Sequence, residues 1–477
     1  MKRGGIIPAL AIVALASGCA LRPLPGPDSA AMAPEPSLPA GWTADRVPQA
    51  APLAGGWWVA FDDPLVAELV SSATHASASI AQAQARIAQA RAELTAAQAR
   101  ALPSLDATAA ANRGAVTFGG PLVLRNLYQA QAQATWELDL FGGAARAREA
   151  AAAGALARHA RLAEARLAVA GETAAAYTTL RHCEVQSGLI AADAESRRET
   201  ARLVRAGGAA GLQAEATVAL AVASASDAAS RLEQQRAACE AQVQALAALT
   251  AIGVPALRAQ LSERTARLPL PRRFAPQSLP AEVLARRPDL AALELEQAAA
   301  RARIGVAEAA RLPQLSLAGN IGPVRVEAGG ISLSATSWSL GPSLTLPLFD
   351  GGRRRAGVES AVADWSAAQA AWRERARVAV KEVEEALLRI ATAARREPHA
   401  LAASRGYNDA LEGARARHRA GFASLIELED ARRSALQADA ALADLRHEQV
   451  AAWIALYRAI GGPGLPEGLA ASTEVTR

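Results

Sequence analysis

Three cysteines carry the most reactive side chains in this 477-residue sequence. Cys183 and Cys239 show no metal-ligand spacing, and the six histidines are scattered without a His-x-x-x-His pair or an adjoining carboxylate cluster. The sequence also lacks a phosphate-binding glycine loop and a nucleophile elbow. These observations predict no enzyme, no metal site and no cofactor. The remaining chemistry is a disulfide between Cys183 and Cys239, or acylation of Cys19.

The N-terminus predicts export from the cytoplasm. Residues 1–18 combine a basic start, a short apolar run and small residues, which is typical of a signal peptide and too short to span a bilayer stably. The letters ASGC resemble a bacterial lipobox, with Ala16 where Leu is usual, so Cys19 is predicted to be lipidated. An ordinary signal peptide with an incidental cysteine is the alternative. Lipoproteins that are kept at the inner membrane usually carry Asp directly after the cysteine. Because Ala20 stands there, the resemblance to a lipobox implies the outer membrane.

Residues 19–55 are rich in Pro, Gly and Ala and predict an extended, lipidated tether. The body then begins with GGWWVAFDDPL, in which Asp63 is a good N-cap and Pro64 a good first helical residue. Beyond the signal no apolar run reaches 18 residues, so no transmembrane helix is predicted. Three aromatic residues just before the helix are expected to pack on the body: Trp57, Trp58 and Phe61.

Charge gives no sign of nucleic-acid binding. The formal net charge is +5, and the basic residues alternate with acidic ones along helices. Such a pattern is typical of solvated helix faces, whereas nucleic-acid binders concentrate their basic residues.

The sequence contains a tandem duplication of roughly two hundred residues. Four landmarks recur in the same order at offsets of 208 to 214: Pro103 with Pro313, Phe141 with Phe349, Glu172 with Glu382, and Arg205 with Arg419. We assign the first repeat to residues 56–270, the second to 271–463, and a C-terminal tail to 464–477.

Each repeat is predicted to contribute two strands, at about 104–114 and 128–140, and at about 314–323 and 331–348. YQAQAQATWELDL alternates apolar and polar residues, as a two-faced strand does. The lengths fit strands that span a bilayer, but four strands cannot close into a barrel. Three chains would supply a twelve-stranded barrel. A small soluble sheet in a periplasmic protein is the alternative.

Long helices follow the second strand of each repeat. Gly143 to Arg205 contains no proline, and a return helix runs from Leu212 to about Leu249. The second copy repeats this hairpin, with an interruption expected at Pro398. Such lengths predict antiparallel coiled-coil packing around a water-filled bore. We therefore expect a mainly helical chain with a small membrane-spanning β-structure.

The hairpin geometry brings the two spare cysteines close to the same level. Facing residues of an antiparallel pair have numbers that sum to about twice the turn centre, which lies at about 209. Cys183 and Cys239 sum to 422, near the required 418. A disulfide is therefore predicted in the oxidising periplasm, with two buried free thiols as the alternative.

The sequence resembles the TolC-like outer-membrane channel family, particularly its lipidated branch. The likeness rests on WWVAFDDPLVAEL, WELDLFGG, LPAEVLARRPDLAALE, LPLFDGGRRRA and LYRAIGGP, and it covers about residues 55–463. It implies a homotrimer with a twelve-stranded barrel and an α-helical periplasmic tunnel. It also implies a passive exit for small molecules, reached through a periplasmic adaptor (membrane fusion protein) from a resistance-nodulation-division (RND) pump.

Two other functions remain open at this stage. The same architecture serves as the outer-membrane exit of type I protein secretion, which is driven by an ATP-binding transporter. A periplasmic helical adaptor or structural lipoprotein is the second alternative, against which the four two-faced strands argue.

The resemblance also implies roles for the hairpin tips, which would form the periplasmic mouth and receive the adaptor. The predicted contacts are Arg205, Gly207, Gly211, Arg419, Gly421 and Ser424. Inside the second tip, Ile426 would be an apolar plug, Asp430 an inward carboxylate and Arg433 its salt-bridge partner. Glu427 or Glu429 are alternative sources of the negative ring. The plain structural explanations are glycines that permit the turns and one surface ion pair.

Overall fold

The computed structural model describes residues 61, 63–117, 122–269 and 280–463. The predictions for the signal peptide, Cys19, the tether, Trp57, Trp58 and the tail lie outside these residues. Asp63 and Pro64 start the first helix as predicted: the Asp63 carboxylate accepts a hydrogen bond from the Leu65 amide at 3.1 Å, and Phe61 is buried.

The first repeat alternates helices with a strand pair. Its elements are α1 (Pro64–Ala76), α2 (Ala78–Ala99), β1 (Ser104–Val116), β2 (Val123–Leu138), α3 (Gly143–Ala209), α4 (Glu215–Thr250) and α5 (Val254–Ser262). The elements of the second repeat are α6 (Pro280–Arg286), α7 (Pro288–Ala309), β3 (Gln314–Ala328), β4 (Ile331–Thr345), α8 (Arg353–Arg419) and α9 (Leu425–Ala459).

The two long outgoing helices show the duplication directly. Helices α3 and α8 are both 67 residues long, and α8 begins 210 residues after α3. The offset of 214 inferred from Arg205 and Arg419 is therefore wrong at the tips. Arg419, the last residue of α8, corresponds to Ala209, the last residue of α3. The Arg-Ala-Gly motif begins four residues before the end of α3 in the first repeat but at the last residue of α8 in the second, so aligning the two motifs gave an offset four residues too large.

Helix bounds near the tips differ from the sequence prediction in two ways. Helix α3 continues past Arg205 to Ala209, and the return helix begins at Glu215 rather than Leu212. Pro398 does not interrupt α8, which runs through it. Proline removes one backbone hydrogen bond, a loss that a long helix packed along α9 accommodates.

The four strands form one antiparallel sheet in the order β1-β2-β3-β4. The strand ends that connect to helices all lie at one end of this sheet, and the terminal pairs Val116–Val123 and Ala328–Ile331 lie at the opposite end. β2 begins at Val123 instead of 128, because the alternation of apolar residues changes phase near Tyr128 while strand pairing continues. It ends at Leu138, since the Leu140 amide donates to the Leu138 carbonyl.

The other three strands also depart from their predicted bounds. β1 extends to Val116, and β3 continues past Gly322 and Pro323 to Ala328, although both residues are poor strand formers. β4 ends at Thr345, two residues before Pro347, which has no amide hydrogen to donate.

The main apolar core lies where α1, α3, α4, α5, α8 and α9 meet. Its fully buried members include Leu69, Tyr177, Leu257, Val383 and Leu456. Within the described residues, none of the helices by itself has both the length and the apolar character to cross a bilayer. Helices α4 and α5 meet these criteria only as a pair bent by 112°.

Candidate functional site: the hairpin tips and the sheet

The first hairpin turns through a Schellman motif. Gly211 adopts a left-handed conformation with φ +74°, which favours glycine because it has no Cβ. Its amide donates to the Gly208 carbonyl at 2.9 Å, and the Leu212 amide donates to the Gly207 carbonyl at 2.8 Å. The glycines of this tip therefore have a clear structural task.

The second hairpin repeats the same motif 210 residues later. Gly421 has φ +78°, its amide donates to the His418 carbonyl at 3.1 Å, and the Phe422 amide donates to the Arg417 carbonyl at 2.8 Å. Leu212 and Phe422 occupy the same position in the two motifs and are 78% and 84% exposed. Sequence reasoning missed these apolar residues, although the duplication places them at equal offset.

Ser424 is the N-cap of α9 and forms a reciprocal capping box with Glu427. The Glu427 amide donates to the Ser424 hydroxyl at 3.2 Å, and the Ser424 amide donates to the Glu427 carboxylate at 2.8 Å. Glu427 is thereby held at the start of the helix. Arg205 and Arg419 are exposed at the two tips.

The residues predicted to form a constriction lie in the first three turns of α9, just after the Ser424 N-cap. Asp430 and Arg433 form an ion pair at 2.8 Å, and both side chains are about 60% exposed in the single chain. Ile426, one turn closer to the tip, is 61% exposed. All three side chains are therefore free to face another copy.

Glu429, in contrast, is buried in an ion network that sequence reasoning did not predict. It accepts hydrogen bonds from Arg197 of α3, from Arg432 at 2.7 Å and from the Ser224 hydroxyl of α4 at 3.1 Å. Arg197 also pairs with Asp193 at 2.8 Å. Burial lowers the pKa of Arg432, against the opposing effect of Glu429. Because Glu429 is fully engaged here, it is a poor candidate for a ring around the bore.

A histidine pair lies at another contact between α3 and α9. The rings of His182 and His447 stack with centroids 4.5 Å apart, and the Nε2 atom of His182 lies 2.8 Å from the Asp444 carboxylate. Burial, together with repulsion from His182, lowers the pKa of His447, although Asp444 acts in the opposite direction.

A third charged cluster joins α7, α8 and the end of α9. Arg287 donates to Asp289 at 2.8 Å, to Glu382 at 2.8 Å and to the Ala459 carbonyl at 2.7 Å, while Arg375 bridges the same two carboxylates. Burial alone would raise the pKa of Asp289, but Arg287 and Arg375 lower it to about 2. The cluster ties together segments of the second repeat.

Cys183 of α3 and Cys239 of α4 form a disulfide with Cα atoms 5.5 Å apart. This matches the pairing that hairpin numbering predicts. The bond joins the two helices of the first hairpin, and Cys183 is almost fully buried.

The sheet exposes large apolar residues on one face, with Trp338 72% and Leu340 70% exposed. Within the described residues, β1 pairs only with β2, and β4 pairs only with β3. Each outer strand therefore presents a row of backbone donors and acceptors. An apolar face with two open edges is a surface that further copies can extend.

Comparison with known proteins gives a consistent result. The family model described as "Outer membrane efflux protein" matches residues 69–252 and again 279–462. The chain is 32% identical to nodulation protein T of Rhizobium leguminosarum bv. viciae, over 90% of this chain and 87% of that protein. It is 31% identical to outer membrane protein OprJ of Pseudomonas aeruginosa, over 92% and 93%.

Solved structures agree with these matches. The outer-membrane channel OprN superposes with a TM-score of 0.81 at 29% identity, covering 91% of this chain and 100% of that one. The open state of the MtrE outer membrane channel of Neisseria gonorrhoeae gives 0.75 at 27% identity, covering 90% and 97%. Sequence, repeat structure and fold all point to one assignment. This chain belongs to the outer membrane efflux protein family.

Proposed function

We propose that three copies of this chain form the outer-membrane exit channel of a tripartite efflux system. The observation that carries this is the four-stranded sheet, whose open edges and exposed apolar face require further copies. Three sheets give twelve strands, enough for a closed barrel with an open interior. Helices α3 and α8, each 67 residues and about 100 Å long at 1.5 Å per residue, pack along their return helices α4 and α9. These two hairpins continue the duct into the periplasm.

Relatives named for efflux support the export of small molecules over protein secretion. They include a toluene efflux pump protein and an antibiotic efflux pump protein, both from Pseudomonas putida. The channel itself is a passive duct that receives cargo from an RND pump in the inner membrane. Native mass spectrometry of the detergent-solubilised protein tests the assembly: a trimer supports the proposal, and a stable monomer opposes it.

The two hairpin tips form the periplasmic mouth and contact the adaptor. This assignment is supported by their matching Schellman geometry and by the exposed side chains of Arg205, Leu212, Arg419 and Phe422. Phe422→Ser should weaken adaptor binding to the purified trimer without changing its assembly. His399→Ser, at an exposed position on α8 far from the turn, is the control.

Acylation of Cys19 anchors the assembled chain to the outer membrane. The support is the ASGC stretch at the end of the signal peptide. Cys19→Ala should abolish labelling by a radioactive or clickable fatty acid, and unchanged labelling would refute the anchor. Trimer formation should survive, because a closed barrel holds itself in the membrane.

A further inference from the structure

The register of the sheet sorts its residues onto two faces. Residues paired across antiparallel strands lie on the same face. One face, which we name the Gln131 face, carries an in-register polar row over all four strands: Asp106, Gln133, Asn320 and Ser339. The opposite face, which we name the Ala132 face, carries a row one residue further along: Ala107, Ala132, Ile321 and Trp338.

The polarity of the two faces changes toward the end of the sheet where β1 pairs with the start of β2. There the Gln131 face carries Leu127, Val326 and Leu333 in register on β2, β3 and β4, and Asn112 of β1 completes the row. At the same level the Ala132 face carries Arg113, Asn126, Glu327 and Ser332. These polar groups interact: Asn126 donates to the Glu327 carboxylate at 3.5 Å, and Arg325 donates to it at 2.9 Å.

Burial distinguishes the inner face from the outer one. Along β2, Leu127, Gln129 and Gln131 are partly buried, whereas Tyr128 and Ala130 between them are exposed. The sheet therefore curls toward the Gln131 face. When three sheets close, this face lines the bore and the Ala132 face meets lipid.

The polarity of the Ala132 face then locates the edge of the hydrocarbon layer. Its apolar residues run from Leu138 to Ala130 on β2, about 26 Å at 3.3 Å per residue, which matches the apolar band of a membrane barrel. Tyr128 follows at the position of an interfacial aromatic residue. The charged Arg113 and Glu327 lie beyond it, outside the hydrocarbon. The helices connect to the opposite end of the strands and extend into the periplasm. The end of the sheet that carries Arg113 and Glu327 therefore faces the external medium.

The apolar residues on the Gln131 face at this level line the bore, so contact with lipid does not account for their apolar character. We infer that Leu127, Val326 and Leu333 of three copies form an apolar collar inside the outer mouth, in which Asn112 is the single polar position of each copy. The collar retards hydrated polar solutes and passes cargo with apolar surface. Apolar constrictions in pores act in this way because water and ions leave them readily. The inference rests on the proposed function, since only a closed trimer gives the face a bore.

Cysteine accessibility from outside intact cells tests the collar independently of the periplasmic mouth. Gln131→Cys reports from inside the collar, and Ser332→Cys reports from the outer face at the collar's height. Each is introduced into the parent chain and into a collar variant carrying Leu127→Gln, Val326→Thr and Leu333→Gln. Ser334→Thr with Ala111→Ser, on the Ala132 face, is the control. The probes are a cationic methanethiosulfonate reagent and N-ethylmaleimide. The parent chain without an introduced cysteine gives the background labelling.

The collar predicts that the cationic reagent reacts more slowly at position 131 than at position 332 in the parent. The ratio of the cationic reagent's rate at position 131 to its rate at position 332 should rise severalfold in the collar variant and stay unchanged in the control. The same ratio for N-ethylmaleimide should rise less. A trimer with the same ratio in parent and collar variant would overturn the collar alone. Cross-linking in the same cells reports the trimer, and its absence in the parent would overturn the proposed function and the collar together.

Discussion

A buried ion pair between Arg197 and Glu429 joins α3 of the first repeat to α9 of the second. Both side chains are about 10% exposed, and Arg432 and Ser224 complete the hydrogen bonding of the carboxylate. Buried charges persist only where they are paired, so this contact fixes the two hairpins in one relative position near their tips.

Glu429→Gln should loosen this contact strongly. The substitution leaves Arg197 and Arg432 buried without the carboxylate that they share, and breaking a buried ion pair costs about 3–5 kcal/mol. Hydrogen exchange in the first turns of α9 should accelerate accordingly in the solubilised protein. Asp430→Asn is the matched control, since an exposed pair contributes at most about 1 kcal/mol. Equal exchange in the two variants would show that the buried network carries no special weight.

Gly322→Ala should disrupt the β2–β3 pairing and prevent assembly. A Cβ at this position would lie 1.9 Å from the Ala130 carbonyl oxygen, where no side-chain adjustment can make room. The expected result is loss of the trimer band in cross-linking. Gly341→Ala on β4 meets nothing within 4 Å and is the matched control. A normal trimer from the Gly322 variant would contradict the strand register.

The sequence predicted the element order and the four strands because periodicity and duplication report them directly. It placed the start of β2 too late, because alternation identifies a strand only while one face keeps its polarity. Near Tyr128 that polarity inverts, although the hydrogen-bond ladder continues.

Acidification should weaken the contact between α3 and α9 at His447. Because the folded protein holds this pKa below its ordinary value, stability is present above that value and is lost as pH falls through the folded pKa. Burial and repulsion from the stacked His182 ring both oppose protonation of His447, and they outweigh the opposite effect of Asp444.

The hydrogen-exchange rate at this contact, divided by the intrinsic rate of an unprotected amide at the same pH, should rise between about pH 7 and about pH 5, the range in which histidine titrates. His447→Gln should remove much of that rise. His75→Gln, at an exposed position, is the control and should retain it. A pH dependence that survives in the His447 variant would assign the effect to other groups.

Mass spectrometry of a non-reduced digest should find the Cys183 and Cys239 peptides joined. The bond closes a loop between residues 56 apart and should stabilise the first hairpin by about 2–4 kcal/mol through loss of unfolded-state freedom. Cys183→Ala with Cys239→Ala should therefore lower the melting temperature relative to the parent under non-reducing conditions. Two alkylatable thiols in the native protein would refute the bond.

The tips show what sequence reasoning reached and what it missed. Hairpin numbering placed Cys183 opposite Cys239 because helix geometry is regular. It did not separate Glu429 from Asp430, neighbours on α9, of which the first is buried against Arg197 and the second is exposed. Only the packing of α9 against α3 decides which carboxylate remains free.

Single-channel conductance of the purified trimer in a planar bilayer tests the central claim most directly. The parent should give discrete conductance steps. Asp430→Asn with Arg433→Gln should enlarge them, because neutralising this exposed pair removes a charged constriction repeated three times around the axis. Ile426→Ala should add to the increase, and Glu412→Gln with Arg415→Gln, a comparable pair on α8, is the control. An intact trimer that carries no current, in the parent or in any of these variants, would contradict the account.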